Sequence, residues 1–176
     1  EVLRAKLKNA GCRMTALDEA MAEESGATGG REPSQADTLI SLAATAYLFH
    51  TPDGTGYADL EINGHRETWP IRSTGFKDWL VHKYYCETGG APSNEALNSA
   101  RGTIQARARF DGPESDVNIR VAECDCKLYI DLADDNWRAV EIDEDGWRII
   151  EEPPVRFRRA AGMLPLHTPI AGGSIE

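Results

Sequence analysis

Apolar and polar positions change period several times along this chain, and each change marks an element. From Asp37 to His50 nearly every residue is apolar or small, with Leu39, Leu42, Ala43 and Ala46 on one helical face. That spacing predicts a helix, closed by the turn residues Pro52-Asp53-Gly54. Tyr57 to Ile62 then alternates in steps of two, and Asn63-Gly64 separates it from a second run, His65 to Ile71. Asn-Gly between two such runs predicts a hairpin, because both residues accept the positive φ of a type I′ turn. Arg66, Thr68, Pro70 and Arg72 share one face of the second strand and His65, Glu67, Trp69 and Ile71 the other. Pro70 lacks a ladder donor, which places this strand at a sheet edge.

The period lengthens again from Phe76 to Tyr85, where Phe76, Trp79, Leu80 and Tyr84 predict a helix stopped by Gly89-Gly90. Ser93 caps a longer helix, Asn94 to about Arg109, with Leu97, Ala100, Ile104 and Ala108 as its buried stripe. Four short strands follow, at Val117 to Ala122, Lys127 to Ala133, Arg138 to Ile142 and Trp147 to Ile150. Their connections are too short for parallel crossovers. The chain therefore reads as a single α+β domain: a β-hairpin, two to three helices and an antiparallel meander. One core is expected, with Leu97, Ile104, Leu132 and Ile142 buried in it.

Before this core, Leu3, Leu7, Ala10, Met14, Leu17 and Met21 fall at helical spacing. Gly11 breaks the run, so residues 1–24 read as a helical segment of two short helices. Residues 25–35 are small, polar and glycine-rich, and read as a linker. The core spans 36–152. Beyond it, Pro153-Pro154-Val155-Arg156-Phe157-Arg158-Arg159 opens a basic, proline-punctuated arm, 153–176, expected to lead to a further domain.

Among 176 residues, 41% are hydrophobic and 27% charged, as in a soluble globular protein. No apolar run reaches the ~20 residues of a membrane span, so a cytoplasmic location is expected. Cys12, Cys86, Cys124 and Cys126 are too scattered for a disulfide framework. Cys124-x-Cys126 has no second pair with which to complete a zinc site. His65-x-Glu67 resembles half of a zinc-deaminase signature, but the Pro-Cys-x-x-Cys half is missing. His50, His65, His82 and His167 are dispersed, with no nucleophile in a family context.

From Asp131 to Glu152 nine residues are acidic. Asp131 with Asp134 is the best pair for a Mg²⁺-dependent nuclease or primase centre, although a solvated rim of turn carboxylates accounts for the same pattern. The net charge of −10 opposes general attraction to nucleic acid, so any contact must use a local patch. The candidates are Arg66 and Arg72 on the hairpin, Arg101, Arg107 and Arg109 on the long helix, and Arg156, Arg158 and Arg159 in the arm. Internal pairing with the many carboxylates is the alternative fate of each.

Several short stretches carry a family resemblance. They are Ser41-Leu42-Ala43-Ala44, Leu48-Phe49-His50-Thr51-Pro52-Asp53-Gly54, Gly64-His65-Arg66-Glu67-Thr68-Trp69-Pro70, Phe110-Asp111-Gly112-Pro113-Glu114, Trp137-Arg138-Ala139-Val140-Glu141-Ile142 and Gly146-Trp147-Arg148. Together, over roughly residues 36 to 170, the chain resembles a region of bacterial ATP-binding proteins of mobile elements. In that family the region precedes a P-loop ATPase similar to those of phage and plasmid primase-helicases. The resemblance implies a non-catalytic accessory module in DNA replication that either engages nucleic acid or positions the motor, with a downstream ATPase domain of the same polypeptide as one partner and DNA as a candidate second. An oligomer formed through the full-length protein is compatible with it. No Walker-type phosphate-binding motif occurs in these residues, so no cofactor is expected here. Two other functions remain open: an assembly domain without DNA contact, using the acidic meander, and the metal-dependent enzyme centred on Asp131 and Asp134.

Overall fold

The structure, a computed structural model, describes residues 32–172. The expectations for residues 1–31 lie outside them. Chain contacts divide the protein into two units, Glu1–Pro33 and Ser34–Glu176, and the architecture below is that of the second.

It is an α+β domain with two antiparallel sheets. Ser34 starts helix α1 (Gln35–Leu42) through a reciprocal capping box with Asp37, which pairs amide hydrogens that the helix itself leaves unbonded. A 3₁₀ turn, Ala43–Thr45, ends it. The expected helix to His50 stops there, because Tyr47–His50 is strand β1, paired with β2 (Gly56–Ile62). The Asn63-Gly64 turn, at φ 51° and 81°, leads to β3 (His65–Pro70), which is the edge strand that Pro70 requires. Helix α2 (Thr74–Thr88) is capped by Ser73 and ends at Gly89, whose φ of 71° is the usual left-handed stop. Helix α3 (Asn94–Phe110), capped by Ser93, buries Leu97, Ala100, Ile104 and Ala108, the predicted stripe.

The three helices cover one face of the first sheet. There Ala58 and Leu60 of β2 meet Leu39, Phe76, Leu80 and Ile104 in one apolar core. The meander forms the second sheet: β4 (Val121–Cys124), β5 (Lys127–Asp131), β6 (Ala139–Asp143) and β7 (Gly146–Ile150), in that order. The expectation of one shared core is corrected, because the second sheet has its own cluster of Ala122, Tyr129, Ala139 and Phe157. Leu97, Ile104 and Leu132 are buried as expected, whereas Ile142 is only half-buried.

Residues 153–159, expected to leave the core as an arm, instead run between the two sheets. Their backbone exchanges hydrogen bonds with Asn118, which donates to Arg156 and accepts from Arg158. Successive side chains then point to opposite sides, as in any extended strand. Arg156 reaches the first sheet, stacked 4.5 Å over Phe49 and bonded to Asp59, while Phe157 enters the core of the second. Arg66 of β3 closes the junction by donating to the carbonyls of Pro153 and Val155, at 2.5 and 2.8 Å.

Candidate nucleic-acid interface

The eight arginines proposed from sequence separate into two groups once their partners are known. Arg66 is held by the two carbonyls of the 153–155 segment, and its burial, with Arg156 nearby, lowers its pKa. Arg156 pairs with Asp59 at 2.7 Å and donates to Ser115. Arg159 grips both oxygens of Asp131, at 2.8 and 3.1 Å, donates to the Asp134 carbonyl, and lies 4.0 Å over the Trp137 ring. These three guanidiniums hold the fold together and do not present a charged surface. Arg72, Arg107, Arg109 and Arg158 are exposed and enter no ion pair among the described residues.

Arg101 is intermediate. Its Nε and Nη2 donate to the carbonyl of Ile71, and Nη2 also to that of Ser73, so the strand-to-helix corner fixes its orientation. Nη1 keeps both its donors without a protein acceptor among the described residues. On α3, at about 100° per residue, Arg101, Gln105 and Arg109 share one flank of the buried stripe with Asn98. Arg107 falls on the opposite flank. It is thereby separated from Arg101 and Arg109, with which the sequence grouped it.

The Arg101 flank faces the open end of the hairpin. Arg72, Asn98, Arg101, Gly102 and Gln105 line a cleft of about 330 Å³ there, and none of the five is acidic. Gln105 packs against Gly56, where an added Cβ would come within 2.7 Å of its amide nitrogen. The Gln105 side-chain oxygen Oε1 is buried with no hydrogen-bond partner among the described residues. Further along the helix the Arg109 guanidinium lies against Gly54 and stands 5.4 Å from the Phe110 ring, which is 77% exposed. The strip thus combines one oriented guanidinium, two exposed ones and two amides, with the Phe110 ring beside Arg109 at its end but off the flank itself. These groups suit phosphate oxygens and unstacked bases. Phe110 and Asn98 were not foreseen, although Asn98 stands three residues before Arg101 and shares its flank by spacing alone.

The acidic residues have partners of their own. Asp131 is 1% exposed and its carboxylate is taken by Arg159 and by the amide of Ala133. Asp134 pairs with Arg138 at 2.7 Å. Burial would raise its pKa, but the Arg138 hydrogen bonds and charge outweigh that and leave it lowered. The pair offered for metal binding therefore faces guanidinium groups. Glu141 is lowered in the same way: the Tyr129 hydroxyl, Lys127 and Arg148 outweigh its burial. Tyr129 is in turn pushed up to about 12 by burial and by its bond to Glu141. Among the described residues, no group of three or more His, Cys, Asp or Glu is placed to hold a metal ion, and no helix is long and apolar enough to cross a membrane.

Comparison with protein-family models, curated proteins and solved structures finds no match to this chain.

Proposed function

We propose that this domain is a non-catalytic module that engages nucleic acid through the α3 strip, in the setting its resemblance to mobile-element ATP-binding proteins implies. One observation carries the reading. In a chain of net charge −10, the cleft holding Arg72 and Arg101 has no carboxylate in its lining among the described residues. Arginines in an acidic protein ordinarily find carboxylates, as Arg156 and Arg159 do here. A pair kept clear of them is suited to an outside anion, and a row of such sites along one helix flank is suited to a chain of phosphates. The downstream ATPase domain remains the expected partner in the same polypeptide.

The test is the salt dependence of binding to single- and double-stranded DNA oligonucleotides. It compares the wild type, Arg72→Ala/Arg109→Ala, and Arg107→Ala on the opposite flank. Loss of two phosphate contacts lowers the slope of log affinity against log salt by about two, whereas Arg107→Ala leaves it unchanged. No binding at low salt, or equal slopes in all three folded proteins, overturns the proposal. Arg101 is left intact because its removal would free the carbonyls of Ile71 and Ser73.

A further inference from the structure

The two faces of the second sheet differ sharply. Residues opposite one another in register project to the same side. Val121, Ile130, Val140 and Ile149 form one row, and Glu123, Leu128, Ile142 and Trp147 the next. The reverse side carries Ala122, Tyr129 and Ala139, which take Phe157. The first side therefore presents seven apolar side chains and one carboxylate, with Val121, Leu128 and Trp147 54%, 46% and 43% exposed. Residues 166–169 cross one end of it, where the Leu166 amide donates to the Leu132 carbonyl, and leave an apolar groove of about 300 Å³. At the other end stand Glu123 and the exposed turn residues Asp125, Glu144 and Asp145. The two basic residues of these strands, Lys127 and Arg148, are turned to the reverse side by Glu141.

We propose that this face is the docking surface for a basic amphipathic helix of a protein partner. An apolar sheet face needs a covering layer. The first sheet has its layer in α1 to α3, whereas this one has none beyond residues 166–169 among the described residues. Strands of five residues, about 3.3 Å each, are matched along their length by roughly eleven helical residues at about 1.5 Å each, which brings one end of the helix to the two turns. The acidic end selects Lys or Arg at the end of that helix lying against Glu123, Asp125, Glu144 and Asp145. A second copy fits less well, because two faces with acidic ends would meet between chains that each carry a net charge of −10.

The experiment titrates the ¹⁵N-labelled full chain with a synthetic Leu/Lys amphipathic peptide of about fourteen residues, and separately with its Leu/Glu counterpart. Saturable shifts are expected within residues 121–149 and not in α3, with the acidic peptide at least about tenfold weaker. Leu128→Ser/Trp147→Ser, checked for a dispersed spectrum, is expected to lose the response. Absence of shifts, shifts mapping elsewhere, or equal binding of the acidic peptide overturns the proposal. So does sedimentation showing a dimer that this double variant dissolves, which would assign the face to a second copy.

Discussion

At the scale of single residues, partners and not charge decide what an arginine does. Arg158 and Arg159 are neighbours of one type, yet Arg158 is exposed while Arg159 neutralises an Asp131 that is 1% exposed. Removing one member of a buried pair strands the other. Arg159→Ala should therefore cost on the order of 3 kcal/mol of unfolding free energy, and Arg158→Ala no more than about 0.5. Urea denaturation of the two variants checks this, and similar midpoints would show that the pair is not buried as described. The sequence displayed the basic residues of the 153–159 segment plainly but not their fate. The partners of Arg156 and Arg159 are 97 and 28 residues away, beyond any local pattern. Pro153-Pro154 likewise reads as a linker unless something across the fold holds the segment, as Arg66 does through the carbonyls of Pro153 and Val155.

At the scale of elements, legibility followed length and capping. Helix α3 was readable because 17 residues repeat the apolar stripe and Ser93 marks the start, and the hairpin because Asn63-Gly64 specifies its turn. Strand β1 was not. Four residues give only two alternations, and the small residues before them continue a helical pattern until pairing with β2 overrides it. The apolar outer face of β4–β7 was equally hidden, since alternation shows that a strand has two faces and not which of them is covered. Two glycines test how tightly these elements meet. Gly102 lies within α3 with open space where a Cβ would go, so Gly102→Ala should raise stability by about 0.5–1 kcal/mol. At Gly112 a Cβ would fall 2.6 Å from the Ala108 carbonyl oxygen and 2.8 Å from that of Leu48, so Gly112→Ala should lower the melting temperature. A melting comparison giving the same sign for both would contradict this packing.

At the scale of the whole domain, a helix-covered sheet and a meander are joined by one extended segment that contributes a side chain to each. The strip on α3 and the apolar face of the second sheet belong to different sheets and rest on different chemistry, so the failure of one leaves the other standing. Of the eight arginines the sequence offered, Arg72, Arg101 and Arg109 share one strip in the fold, Arg66, Arg156 and Arg159 are taken up by internal partners, and Arg107 and Arg158 are exposed outside the strip. Contact between this strip and nucleic acid is read by chemical-shift mapping of the full chain with a short single-stranded oligonucleotide at low salt. Saturable shifts are expected for Arg72, for Asn98 to Arg109 and at Gly54, with Arg156 and Arg159 unmoved. Unchanged spectra, or shifts confined to residues outside the strip, would contradict that contact.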